Sequence, residues 1–185
     1  MPNCWMAERL FRGEAYEEKT LAALLMQASA RARRAATPAM VDRWLDHLQG
    51  WAEIDSLCAS VFGPEQMGAD WLAWRALIER LAGDANINRR RAALVLLCMP
   101  TRKSGDPRFR DLAFELVERL KREKPILITK AVSWLLRSMA AQHRAAVAAY
   151  LEANAASLPA IAVRETRVKL ATGTKSGRSR RDTAP

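Results

Sequence analysis

Apolar residues return every three to four positions along most of this chain, in short runs with clear ends, which is the periodicity of amphipathic helices. The first strong run covers residues 14–35, opening on acids and closing on Arg31, Arg33 and Arg34, a charge order that suits the helix dipole. Thr37-Pro38 supplies a cap and a first-turn proline for a helix to about Gln49. Gly50 separates it from a helix over 51–62, and Gly63-Pro64 starts another, through Trp71 and Trp74 to Leu81, that ends at Gly83. Residues 86–99 read as a helix closed by Pro100, 101–107 as a loop, and Asp106-Pro107 as the cap of a helix to about Lys121. Pro125 begins a helix over 126–139, another covers 142–156, and a last one runs from Pro159 to about Ala171.

Paired in order, these helices make four hairpins, 37–62, 64–99, 106–140 and 142–171. Their second helices begin near 51, 86, 125 and 159, a spacing of 34 to 39 residues. Periods near 40 built from two antiparallel helices are the mark of HEAT-like repeats, whose apolar faces are covered only by stacking on neighbours. The expected fold is therefore all-α, an α-solenoid of HEAT-like repeats with a basic concave face, over residues 1–171. A bundle or globin-like arrangement is the competing architecture. Residues 172–185 are polar and low in complexity, with Lys175, Arg178, Arg180 and Arg181, and are expected to form a disordered basic tail.

Composition agrees with helices: half of the 185 residues are apolar, glycine and proline number eight each, and β-branched runs bounded by turn residues are scarce. Lys plus Arg is 30 against 20 for Asp plus Glu, a net charge of +10. An excess of that size points to a polyanionic partner, nucleic acid first, although solubility or an Ala- and Arg-rich coding bias produces the same balance. The three cysteines (Cys4, Cys58, Cys98) are far apart and near neither His47 nor His143, which argues against a disulfide framework or a zinc site. Reduced thiols suit the cytoplasm. Met1-Pro-Asn-Cys-Trp does not open like a signal peptide, and no uncharged apolar stretch approaches the ~18 residues of a membrane span.

Candidate chemistry sits on the second helices. Over 126–139, Ile128, Ala131, Val132, Leu135, Leu136 and Met139 form one apolar stripe, while Lys130, Ser133, Trp134 and Arg137 share the opposite face. A tryptophan set among cations, away from the stripe, reads as an exposed contact residue, unlike Trp71 and Trp74, which read as core. Arg89, Arg90 and Arg91 crowd a helix start, where mutual repulsion and the positive helix end disfavour them and a phosphate would relieve both. A solvated arginine cluster is the alternative. Trp51 and Asp55 stand four apart beside the stripe Ile54, Leu57, Cys58, Val61, so the acid has either a specific partner or an ordinary first-turn role. The last helix adds Arg164, Arg167 and Lys169. No glycine-rich phosphate loop, HExxH or nucleophile elbow is present, so any hydrolysis rests on a carboxylate, without metal or cofactor.

The stretches Trp51-Ala-Glu-Ile-Asp55, Asn86-Ile-Asn-Arg-Arg-Arg91-Ala-Ala, Lys130-Ala-Val-Ser-Trp134-Leu-Leu-Arg137 and Tyr150-Leu-Glu-Ala-Asn154, the last continuing through Leu158-Pro159 to Arg164-Glu165, resemble successive signatures of the AlkD-type DNA alkylation-repair enzymes. The resemblance runs from about Glu14 to Leu170, with only residues 1–11 ahead of its first helix, N-terminally short for that family. It implies a DNA glycosylase that removes cationic N3- and N7-alkylated purines from duplex DNA, without a metal and without a pocket for a flipped base. Trp51 and Trp134 then flank the lesion's deoxyribose, Asp55 stabilises the oxocarbenium-like sugar and positions water, and Arg91 holds a backbone phosphate. Arg89, Arg90, Lys130, Arg137, Arg164 and Arg167 are the expected further contacts of a monomer with DNA. A non-catalytic DNA-binding solenoid and a protein-interaction scaffold with an acidic partner remain open.

Overall fold

A computed structural model of the protein describes residues 2–175, and the side chains from Trp5 onward. Of the tail expected to be disordered, residues 176–185 lie outside this range, as does the side chain of Cys4. Among the described residues every regular element is an α-helix, and five pairs make up the body. They are α1 (Pro2–Phe11) with α2 (Tyr16–Ala28), α4 (Pro38–Leu45) with α5 (Gly50–Cys58), α7 (Trp71–Ala82) with α8 (Ile87–Leu96), α10 (Pro107–Leu120) with α11 (Ile126–Met139), and α12 (Arg144–Asn154) with α13 (Ala160–Thr172). Three short helices, α3 (Ala30–Ala35), α6 (Pro64–Ala69) and α9 (Cys98–Lys103), carry the chain from one pair to the next.

The second helices stack in chain order, α2 on α5, α5 on α8, α8 on α11 and α11 on α13. The first helices form the other layer: α4 packs on α7 and α7 on α10. The Phe11 and Trp44 rings, 4.9 Å apart, bring α1 to α4, and Phe114 and Tyr150, 4.5 Å apart, bring α12 to α10. This all-α fold is consistent with a helical-repeat solenoid. Trp44 is fully buried, and its indole N–H is satisfied by donating to Glu8 Oε2 at 2.7 Å. Trp74 is buried as expected, 5.0 Å from the Phe62 ring.

Polar links between neighbouring repeats recur at the period of the array. Lys19 reaches Glu53, Arg91 reaches Asp55, Arg90 reaches Glu123 and Ser133 reaches Glu165, separations of 34, 36, 33 and 32 residues. In a stacked array a residue's spatial neighbour lies one repeat away in sequence.

The pattern missed several features, among them a break at Asp70 (φ −128°, ψ 52°) that divides the run over 64–81 into α6 and α7. Residues 2–11 form a helix, so the array gains a first pair ahead of 37–62. The run over 14–35 divides at Ser29, whose backbone is extended (φ −111°, ψ 101°) and whose hydroxyl accepts the Ala32 N–H to cap α3. Serine competes for backbone hydrogen bonds, and here that competition breaks the helix. Residues 101–103, expected in a loop, belong to α9, and Pro100 lies in its first turn, where a missing N–H costs nothing. Gly173 ends α13 in the left-handed region (φ 75°), its N–H donating to Lys169 O at 2.9 Å. No helix among the described residues is long and apolar enough to cross a membrane.

Asp106 caps α10 by accepting the Arg108 N–H at 2.9 Å and holds the Arg108 guanidinium at 2.7 Å. That guanidinium, with the backbone N–H, keeps the Asp106 carboxyl below its ordinary value. A carboxyl lowered by folding stabilises the fold above its unfolded pKa, and this contribution is lost as pH falls through the folded one. Asp106→Ala is expected to cost about 1 kcal/mol at neutral pH. Urea melts should show the gap to wild type shrinking below about pH 4; a gap of constant size would refute the charge-based account.

Candidate active site

Gly50 carries a positive φ of 72°, a backbone that glycine adopts without strain, and it turns the chain into α5. Ile54, Leu57 and Cys58 anchor that helix in the core. Trp51 and Asp55 then stand one turn apart on its open side. Trp51 is 60% exposed, whereas Asp55 is half-buried. Next to α5 lies α8, whose residues from Arg91 to Leu96 are all buried. Arg91 is only 5% exposed. Its Nε donates to Asp55 Oδ1 at 2.9 Å and its Nη2 to Oδ2 at 2.7 Å, while Nη1 donates to the Leu127 carbonyl at 2.6 Å. One guanidinium thus ties α5, α8 and α11 together, with a two-bonded fork that fixes the carboxylate plane.

On α11 the predicted stripe, Ile128, Ala131, Val132, Leu135, Leu136 and Met139, is fully buried. The other side faces an open cleft of about 570 Å³ lined by Trp51, Asp55, Arg91, Lys130, Trp134, Arg137 and Glu165, with Ile126, Leu127, Ile161 and Lys175. Trp134 is half-buried and packs on the core, where an exposed side chain was expected. Ser133, placed on the polar face by periodicity, is fully buried and donates to Glu165 Oε2 at 2.7 Å. Both differences have one cause. The last helix, α13, packs against α11 and covers the flank that a lone helix would leave open.

Six of the ten residues singled out from the sequence therefore meet in one cleft: Trp51, Asp55, Arg91, Lys130, Trp134 and Arg137. Arg89 and Arg90 do not line it. Arg89 bonds Asp42, Asp46 and Asp84, and Arg90 makes two bonds to Glu123 and one each to the Asp84 and Ala85 carbonyls. The crowding of cations at the start of α8, read as a call for phosphate, is thus met by carboxylates of the protein itself. Asp84 is held below its ordinary pKa, first by the Asn86 backbone N–H and then by Arg89. Arg164 and Arg167 are exposed and border a separate groove with Val163 and Val168. A larger groove of about 900 Å³ runs beside α3 and α6 and holds none of the ten residues. The smaller cleft is where a carboxylate, two indoles and cations converge, which makes it the candidate site in preference to the larger space.

Sequence reasoning assigned no role to Glu165, Ser133 or the Leu127 carbonyl. The repeat spacing was the usable signal, since each lies one repeat from its partner. Cys58 and Cys98 are buried, and burial pushes the Cys58 thiol up strongly and the Cys98 thiol to about 12, which makes both poor nucleophiles. Among the described residues no three metal-binding side chains come together.

The sequence matches the profile of a family described as DNA alkylation repair enzyme over residues 3–170. The match takes in α1, which the residue-level resemblance left out. No curated protein matches the chain.

Proposed function

The chain belongs to the DNA alkylation repair enzyme family, and on that premise we propose that the cleft hydrolyses the N-glycosidic bond of cationic N3- and N7-alkylated purines in duplex DNA. The observation that carries this reading is Asp55, held in a fixed plane by Arg91 in a cleft that also contains Trp51 and Trp134.

A purine alkylated at N3 or N7 is positively charged, so it departs with the electron pair of the glycosidic bond and becomes neutral. The positive charge moves to the sugar as an oxocarbenium-like centre. Water then adds to C1′ and its proton passes to Asp55 or to solvent. Acid catalysis of base departure is little needed, and a fixed anion beside the developing charge is the effective device. The two indole faces add attraction for the cation, on the order of 0.5–2 kcal/mol. Lys130, exposed at the cleft, suits a backbone phosphate. The cleft opens to solvent at the protein surface, which fits attack on a base that stays in the duplex and not one extruded into a closed pocket.

The test is release of free 7-methylguanine and 3-methyladenine from methylated duplex DNA. Wild type is expected to release both. Trp51→Ala is expected to cut the rate roughly tenfold while leaving stability within about 0.5 kcal/mol, because the ring is already mostly in water. Duplex binding with no base release by wild type would replace the glycosylase reading with that of a non-catalytic DNA binder.

A further inference from the structure

The cleft holds a second carboxylate, Glu165 of α13. Its Oε2 accepts the hydroxyl of Ser133, a fully buried residue, at 2.7 Å and lies 3.2 Å from Arg137 Nε. The same Nε–H also reaches Ser133 Oγ at 3.3 Å. The side chains of Arg137 and Glu165 are 14% and 18% exposed, so the pair is largely screened from bulk water. Arg137 Nη1 and Nη2 have no hydrogen-bond partner among the described residues. Both guanidiniums of the cleft are thus matched by carboxylates, Arg91 by Asp55 and Arg137 by Glu165. Lys130 and Lys175 line the same cleft, but they are exposed, and no ion pair holds either among the described residues.

We propose that Glu165 is a positioning and charge-balancing residue of this site. It fixes Arg137 against Ser133 and cancels its charge, so the cationic base and the developing sugar cation meet no uncompensated guanidinium. The inference rests on reading the cleft as the seat of base release. The physical argument is one of sign. An arginine near the reaction attracts the DNA backbone but repels a substrate that is itself positive, and the repulsion is strongest where water is excluded. A carboxylate paired to it removes the repulsion and leaves Nη1 and Nη2 able to donate hydrogen bonds.

Glu165→Gln separates these effects, because the amide oxygen still accepts from Ser133, which in turn still accepts from Arg137, while the charge is gone. Binding to undamaged duplex is expected to tighten about threefold, and the slope of log affinity against log salt to steepen by about 0.9, one more phosphate engaged. Single-turnover release of 7-methylguanine is expected to fall roughly tenfold. The double variant Glu165→Gln/Arg137→Gln should return the salt slope to the wild-type value. A purely structural role would instead weaken binding and lower the melting temperature together, and that result overturns the proposal, as does an unchanged salt slope. If wild type releases no base, the glycosylase reading falls, and the salt slopes still decide the charge balance.

Discussion

Asp55→Asn is expected to lower base release by on the order of 10²- to 10³-fold while duplex binding holds or tightens slightly. The side chains have the same shape, so the change is electrostatic. Asp55 takes Arg91 Nε–H on one oxygen and Nη2–H on the other. An asparagine accepts only one of these, and its NH₂ meets the other donor head-on. The substitution therefore deletes the anion beside the sugar and also leaves the guanidinium, fixed by the Leu127 carbonyl, without its counter-charge. Both changes disfavour a developing cation, and the second favours DNA. Free base is measured by chromatography under single-turnover conditions, and binding by anisotropy on undamaged duplex. Retained release would remove Asp55 from the mechanism. Loss of binding in step with release would mean that it only supports the fold.

The second large effect concerns stability. Lys19 of α2 and Glu53 of α5 form an ion pair at 3.3 Å with side chains only 8% and 10% exposed. Glu53 also accepts the Gln49 N–H at the start of α5. Removing one partner of such a pair leaves a buried charge without compensation. Lys19→Met is expected to cost about 3–5 kcal/mol, a fall in melting temperature of roughly 10 °C for a chain of this size. The attraction itself is not the main quantity, since desolvation offsets much of it. Lys19→Met/Glu53→Met should therefore regain at least half of the loss. Equal losses in the single and double variants would contradict that account. Glu53 lies between Trp51 and Asp55 on α5, so the single variant should also slow base release beyond what lower stability explains.

These expectations depend on contacts of unequal visibility in the chain itself. Periodicity placed the buried stripe of α11 correctly because a helix repeats every 3.6 residues whatever surrounds it. Thr37-Pro38 and Asp106-Pro107 mark the starts of α4 and α10 for a local reason as well: both Thr37 and Asp106 cap through their own side chains. The Ser29 break was less visible, because a serine is tolerated inside many helices and its competing hydrogen bond wins only in some contexts. Trp134 and Ser133 show the next limit. Local pattern assigned both to an exposed face, and the packing of α13 against α11 half-buried one and fully buried the other.

By itself the sequence determined the all-helical class, the pairing of helices at a spacing of 34 to 39 residues, and the placing of Trp51, Asp55, Arg91 and Trp134 on the second helices. All of these follow from spacing along the chain. Only the tertiary structure decided which charges are free. Arg89, Arg90 and Arg91 are adjacent and chemically identical, yet one bonds three aspartates, one holds Glu123, and one forms the fork on Asp55. The physical reason is that successive residues of a helix point about 100° apart, so each guanidinium leaves α8 toward a different neighbour. Which carboxylate waits there is a property of the stacked helices.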